Sequence, residues 1–381
     1  MTALEIVAAA SLFAWVYLLC FRGRFWLARE RDGEVQANAD WPSVAAVVPA
    51  RDEAASIAQS ISSLLAQDYP GELRVILVDD QSTDDTAGIA RSLGGMDKLT
   101  VLSGASLPQG WTGKLWAVKQ GIAAVGGVPQ YLWLTDADIV HAPDTLRSLV
   151  ARAKAGDLVL VSLMAKLRCE SLAEKFLIPA FVFFFAMLYP FAWVNRKENA
   201  TAAAAGGCML VKREALERTG GIEAIRHEII DDCALARRMK KEGGIWLGLT
   251  ERSVSLRAYP RIADVGRMIA RSAYAELKYS PLRLAAVLLG MTGVYAAPFV
   301  LTFVSTNIAG LYAGMFAASA YLLIVTAYQP MLIFYGRSPM WGVALPVIGV
   351  VYSAYTFVSA LQHWRGRGGQ WKGRAQAYQG A

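Results

Sequence analysis

Tyr131-Leu132-Trp133-Leu134-Thr135-Asp136-Ala137-Asp138 is an apolar run of buried-strand length that stops on two carboxylates separated by one alanine. In an open parallel α/β sheet, ligands gather outside the carboxyl ends of the strands, which places Asp136 and Asp138 at the rim of a binding site. Two anions this close repel each other. A hard divalent cation, Mg2+ or Mn2+, shared between carboxylates and substrate phosphates, relieves that repulsion. The pair therefore points to a metal ion and a phosphorylated donor, against the plainer reading of a solvated turn after a strand.

Upstream, Ser43-Val44-Ala45-Ala46-Val47-Val48 is a second buried run, entering the polar turn Pro49-Ala50-Arg51-Asp52-Glu53 ahead of a helix expected over residues 54–67. Residues 73–78 form the next strand, ending in Asp79-Asp80-Gln81-Ser82-Thr83-Asp84, where caps for a following helix are plentiful. A further strand over 99–102 and a helix over 115–125 continue the alternation. Strands that end in charged loops and alternate with helices indicate a doubly wound α/β sheet. No G-x-G-x-x-G opens the first turn and no P-loop is present, which excludes those two nucleotide fingerprints.

The chain has 381 residues, 55% of them hydrophobic, and a net charge of +7. Two populations make up that average: residues 42–175 and 205–265 read as soluble sequence, whereas the first twenty residues and 284–361 read as membrane-spanning. The cations Arg22, Arg24, Arg29, Arg31 and Arg365, Arg367, Lys372, Arg374 flank those apolar segments, so the excess charge indicates membrane orientation and anionic lipid, not nucleic acid. Four cysteines without C-x-x-C spacing indicate neither a zinc site nor a disulfide framework.

The ordered set Val48-Pro49-Ala50-Arg51-Asp52-Glu53, Val78-Asp79-Asp80-Gln81-Ser82-Thr83-Asp84, Gly113-Lys114, Asp136-Ala137-Asp138 and Asp231-Asp232 resembles family 2 glycosyltransferases of the GT-A fold over roughly residues 42–260. With its single N-terminal anchor and apolar C-terminal third, the chain looks most like the bacterial hopanoid-biosynthesis-associated members, and more distantly like ceramide glucosyltransferases. Trp371-Lys372-Gly373-Arg374 is similar to a tail motif of such lipid-directed enzymes.

The resemblance implies a Rossmann-like nucleotide-diphospho-sugar domain and an inverting, metal-dependent sugar transfer from a nucleotide-sugar, UDP-sugar favoured, to a hopanoid-like lipid alcohol. It assigns Pro49, Arg51, Asp52, Glu53, Asp79, Asp80, Lys114, Asp136, Ala137 and Arg271 to the donor, and Asp136 with Asp138 to Mg2+ or Mn2+. Asp232 becomes the general base with Asp231 beside it, and Gly206, Gly207 and Cys208 line the acceptor pocket. Each role has chemical sense. Carboxylates at strand ends accept from ribose and imide donors, a lysine before a helix sets a point charge on a diphosphate, and an attacking hydroxyl must lose its proton. Each also has a plainer account: Asp80 and Ser82 capping a turn, Asp231-Asp232 as helix N-terminal acids, and the 206–207 glycines as a tight turn. His141 reads as structural rather than as a ligand. Near Arg271 the family's Q/R-x-x-R-W motif is reduced to Met268-Ile269-Ala270-Arg271-Ser272, which weighs against a growing-polymer acceptor.

The expected organisation is an N-terminal transmembrane anchor (1–22), a charged connector (23–41), a cytosolic GT-A domain (42–265), an amphipathic segment (266–283), C-terminal transmembrane helices (284–362) and a basic tail (363–381). Within the domain, residues 176–194 are expected to dip into the cytosolic leaflet of a bacterial inner membrane with Phe183, Phe184 and Phe185 against lipid or acceptor, a buried helix being the alternative. The C-terminal crossings are expected near 284–304, 308–328 and 342–361. The side of the tail is expected to be cytosolic, which requires a fourth or re-entrant crossing within 331–346. Two rival readings are a polyisoprenyl-phosphate sugar synthase and a catalytically silent membrane scaffold.

Overall fold

A computed structural model describes residues 2–34, 40–94, 97–125, 127, 129–304, 310–371 and 374–375. The chain divides into an α/β unit (Glu30–Arg168, Trp193–Ala258 and the C-terminal Gln370–Ala381) and a helical unit (Met1–Arg29, Cys169–Ala192, Tyr259–Gly369).

The α/β unit is built on one mixed sheet. Its strands are β1 (Val44–Ala50), β2 (Leu73–Asp79), β3 (Leu99–Ser103), β4 (Tyr131–Thr135), β5 (Ile139–His141), β6 (Leu158–Lys166), β7 (Cys208–Lys212) and β8 (Gly244–Ser255). Their spatial order is β3-β2-β1-β4-β7-β6-β8-β5. The parallel neighbours β2 and β4 on either side of β1 explain why all seven of its residues are buried and apolar. The β1–β4 ladder joins Val44 to Tyr131 and ends with Val47 at Leu134, so the two strands part company just before their carboxyl ends. Pro49, which has no N–H to give a ladder, lies beyond that last pair on the β4 side. The gap is the topological switch point at which open α/β sheets bind ligands. Val48, Leu77, Trp133, Leu149 and Leu163 belong to one core with the flanking helices.

Observed elements follow the expected pattern with shifted ends: Ile57–Leu65 and Gly113–Ala124 are the helices expected over 54–67 and 115–125. The first half of the connector is not loose chain. Asp32 is buried and accepts from Ser148 Oγ, Thr250 Oγ1 and Arg252 Nη1, all at 3.0 Å, while Arg31 bridges to Leu249 beside β8.

In the helical unit, four helical stretches are long and apolar enough to cross a membrane: Ala3–Phe21, Pro281–Val304, Leu311–Phe334 and Pro339–Trp364. The second carries a π-turn at Thr292–Ala296. Pro298 has no N–H for the carbonyl of Val294 four residues earlier, and that oxygen instead accepts from Trp15 Nε1 at 2.8 Å. Residues 331–346 form the end of one long helix, a turn and the start of the next, so no fourth C-terminal helix of membrane length occurs there among the described residues.

Leu172–Leu188 is a helix of the same unit, opened by a Ser171/Glu174 capping box. Glu174 is fully buried and also accepts from Tyr259 N at 2.6 Å. Here the expectation that Phe183, Phe184 and Phe185 face lipid or acceptor is corrected for Phe183 and Phe184, which are buried as the alternative has it, whereas Phe185 is half-buried. Phe183 packs on Phe25 and Tyr328 with centroids 5.3 Å away, and Phe184 packs on Tyr352 at 4.8 Å, because neighbouring helices offer aromatic partners on that face. Trp371 and Arg374 pair in a short antiparallel ladder, whereas Lys372, Gly373 and most of the expected tail lie outside the described residues.

Trp133 is fully buried at the centre of the sheet and its indole N–H donates to Cys208 Sγ at 3.3 Å. Trp133→Ala is therefore expected to lower the stability of the α/β unit by about 3–5 kcal/mol, read as a drop in the denaturation midpoint followed by near-UV circular dichroism.

Candidate active site

The register of the sheet brings distant acids together. β4 pairs antiparallel with β7, Thr135 opposite Cys208, so the residue that follows β4, Asp136, emerges beside the glycines that precede β7. The Gly113–Ala124 helix presents Lys114 in its first turn, and the Asp231–Glu242 helix begins with its two acids, where the helix dipole favours negative charge. Lys114 Nζ lies 2.8 Å from Asp136 Oδ1 and 3.3 Å from Asp231 Oδ2. Asp232 is held at both oxygens, Oδ2 by Gly206 N–H at 2.9 Å and Oδ1 by Cys233 N–H at 2.7 Å. A Cβ on Gly206 would sit 3.1 Å from Lys114 Nζ and 3.4 Å from Asp232 Oδ2, so a larger residue here requires those side chains to give by a few tenths of an ångström.

Pro49, Lys114, Asp136, Gly206 and Asp231 line one pocket, closed on its apolar side by Ile222, Ile225 and Leu235. Burial raises the Asp136 carboxyl above its ordinary range, Lys114 opposes that, and Asp138 adds to it. Burial, reinforced by Asp231, likewise pushes Asp232 up to about 6, with Lys114 pulling the other way. The Lys114 ammonium is disfavoured by burial, but Asp136 and Asp231 outweigh this and raise its pKa.

Opposite, the turns after β1 and β2 interlock. Asp52 adopts φ +50°, a left-handed conformation that Asp tolerates better than most residues, and its Oδ1 accepts from Thr83 N at 2.6 Å. Ser82 Oγ accepts from Asp52 N at 3.0 Å and donates to Asp79 Oδ1. Asp52 and Asp79 remain part-exposed, whereas Asp80 is fully buried with Oδ2 3.7 Å from Arg51 Nη1. That corrects the expectation for Asp80, whose carboxylate braces Arg51 instead of facing a ligand.

Asp138 is also nearly buried, and its Oδ2 is 2.6 Å from Arg257 Nε, while Arg257 Nη2 is 2.6 Å from Glu53 Oε1. Among the described residues no three His, Cys, Asp or Glu side chains form a complete metal cage. The donor set nonetheless fits Mg2+ or Mn2+. Hard carboxylate oxygens sit at the switch point, and burial together with Asp138 leaves Asp136 short of compensating positive charge. A cation held by one or two carboxylates takes its remaining ligands from phosphate and water.

Of the other expected residues, Ala137 is buried in the core, and Gly207 offers its carbonyl to Thr135 Oγ1 at 2.8 Å. Cys208 does not line a pocket: its side chain is fully buried within the sheet, and burial raises the thiol to about 12. Arg271 belongs to the helical unit, on the Ile262–Glu276 helix. His141 is a core residue between Thr135 Oγ1 and Ser253 Oγ, 2.9 Å from each, with burial lowering it to about 3. Sequence reasoning passed over Arg257 and the apolar wall at Ile222 and Ile225, none of which belongs to a recognisable motif. At the far end of the Asp231–Glu242 helix, Lys240 Nζ donates to the carbonyls of Val194 at 2.8 Å and Thr201 at 2.5 Å, fixing the segment that leads to Gly206.

Because Lys114 holds the Asp232 pKa down, Lys114→Met is expected to raise it further above about 6. An infrared titration of the protonated-carboxyl band reads the shift, and an unmoved band contradicts the cluster.

Residues 45–220 match the family described as Glycosyl transferase family 2. Over 220 residues the chain is 29% identical to a beta-monoglucosyldiacylglycerol synthase of Nostoc sp., covering 56% of this chain and 44% of that protein. Over 149 residues it is 29% identical to an N-acetylglucosaminyltransferase of Mesorhizobium japonicum, covering 38% of this chain and 33% of that one. The match thus spans less than half the length of either relative. A mannosyltransferase of Pyrobaculum calidifontis, solved with GDP-Man and Mn2+, superposes with a TM-score of 0.56 at 22% identity, covering 94% of this chain and 98% of that one. The α/β unit therefore has a GT-A fold, within which residues 45–220 are similar to Glycosyl transferase family 2.

Proposed function

We propose that the protein is a membrane-bound, inverting glycosyltransferase that moves one sugar from a nucleoside-diphosphate sugar to a membrane lipid alcohol. The observation that carries this is the convergence of Asp136 and Asp231 on Lys114 at the sheet's switch point, with Asp232 held by the Gly206 N–H beside them, in a chain with four membrane-length helices. A UDP-sugar is the favoured donor and a hopanoid-related alcohol the favoured acceptor, both on the sequence resemblance. The name of the Nostoc relative, a glucosyldiacylglycerol synthase, supports a lipid hydroxyl as the acceptor class. The cations that follow Ala3–Phe21 support a cytosolic catalytic unit on a bacterial inner membrane.

In this reading Asp52 and Asp79, part-exposed at the ends of β1 and β2, take the nucleoside, and Lys114 places its charge on the diphosphate. Asp136 and Asp138 would hold Mg2+ or Mn2+, which when bound supplies Lewis-acid stabilisation of the leaving diphosphate. Asp232 accepts the proton of the attacking hydroxyl. Its two backbone N–H bonds keep the carboxylate oriented, and its raised pKa makes it a stronger base than a surface aspartate while leaving it ionised at neutral pH. A single displacement with no covalent sugar intermediate inverts the anomeric carbon. No nucleophilic cysteine is required, in keeping with the buried Cys208.

The reading is tested by incubating the purified full chain with a panel of UDP- and GDP-sugars, Mn2+ and lipid alcohols, and measuring nucleotide release. Metal-dependent turnover with at least one donor is expected, and none with any pair overturns it. Since Asp232 works only when ionised, kcat/KM is expected to fall as pH drops through about 6. Asp232→Asn is expected to lower kcat on an alcohol about 10²- to 10⁴-fold while sparing nucleotide binding. An acceptor that is already a phosphate needs little base, so equal activity of Asp232→Asn on a polyisoprenyl phosphate identifies the rival sugar-phosphate synthase.

A further inference from the structure

Arg257 lies just past β8, and its guanidinium spans two carboxylates from different parts of the sheet: Asp138 after β4 and Glu53 after β1. Both contacts are 2.6 Å, through separate nitrogens, and the neighbouring Leu256 N–H donates to the Asp138 carbonyl at 2.8 Å, which holds the bridge in register. Glu53 is itself braced, its Oε2 accepting from Ser56 Oγ at 3.2 Å and its N–H donating to Thr86 Oγ1 at 2.8 Å. Arg257 therefore binds a fixed pair of anions with the planar, two-pronged geometry that favours arginine over lysine.

We infer that Arg257 is a positioning residue that acts as a resident counter-cation for Asp138, competing with a divalent ion for that carboxylate until the nucleotide is present. The inference rests on Asp136 and Asp138 being the cation ligands. A guanidinium on Asp138 Oδ2 and a divalent ion on the same carboxylate repel each other across a short distance, so occupancy by one disfavours the other. While the bridge is closed, Asp138 is compensated by a charge the chain supplies itself. A divalent ion alone must displace the Arg257–Asp138 contact without recompense, whereas an ion arriving with a diphosphate brings further ligands that offset its loss. Nucleotide and cation are consequently expected to bind together, with little cation uptake beforehand. When only a fraction of molecules is bridge-open, the apparent affinity for the ion falls by that fraction.

The test is a Mn2+ titration of the full chain in detergent, following the free-ion signal by electron paramagnetic resonance, with no nucleotide and then with UDP or GDP. The parent protein is expected to bind Mn2+ weakly alone and more tightly with nucleotide. Arg257→Met, and Arg257→Gln, which keeps a hydrogen-bonding side chain but carries no charge, are each expected to bind Mn2+ alone about tenfold tighter, narrowing the nucleotide effect by the same factor. If both folded variants bind Mn2+ alone no more tightly than the parent, Arg257 is a structural staple and the inference fails. If Arg257→Met does not unfold cooperatively, the glutamine variant decides. Should the parent take up no Mn2+ even with nucleotide, the cation site itself is lost and the inference with it. That result is distinct from normal nucleotide-dependent uptake with unaffected variants, which leaves the proposed function standing.

Discussion

The α/β unit has to keep several carboxylates close together in a part-buried crevice, and two cations of its own make that possible. Asp136 and Asp231 meet at Lys114, and Asp138 and Glu53 meet at Arg257. Like charges gathered away from bulk water are costly unless compensated, so each carboxylate has an ammonium, a guanidinium or backbone N–H groups against it. The two hydrogen bonds of Asp232 come from backbone amides, and burial with Asp231 raises its pKa to about 6. A group so placed is suited to take up a proton, which is the chemistry that a hydroxyl acceptor demands.

The topology makes the cluster possible. β1 and β4 separate after Val47 and Leu134, and Pro49 stands where a residue with a ladder N–H would leave it unpaired. On the other side of β4, the antiparallel β7 returns the chain so that Gly206 reaches Asp232. A side chain at position 206 would crowd Lys114 and the acid, so the tight approach here suits a residue without a Cβ.

Much of this was legible in the residues, for definable reasons. β1 and β4 are unbroken apolar runs followed by acids, as is β2 from Val75 onward, and a strand buried on both faces leaves that imprint whatever surrounds it. Which of two adjacent acids faces the crevice was not legible. Asp79 is part-exposed whereas its neighbour Asp80 is fully buried with Arg51 against it, a difference that two adjacent acids in a sequence do not display. Cys208 shows the same contrast: the glycines before it sit in a turn, but its own side chain falls on the sheet's Trp133 face. Arg257 left no signature because its partners are some 120 and 200 residues away in sequence, as their separations of 119 and 204 state. The aromatic stretch around Phe183 was ambiguous for a related reason. Lipid and a neighbouring helix are equally apolar, so composition cannot separate them, and the contacts with Phe25, Tyr328 and Tyr352 do.

Lys240 gives the Asp231–Glu242 helix a second duty. Its first turn carries Asp232, and its last turn grips the backbone of the segment that runs on to Gly206, the very amide that pins Asp232. Proton acceptor and opposing loop are thus the two jaws of a caliper mounted on a single rod. A displacement of that rod would therefore reach both jaws, through Asp232 at one end and Lys240 at the other.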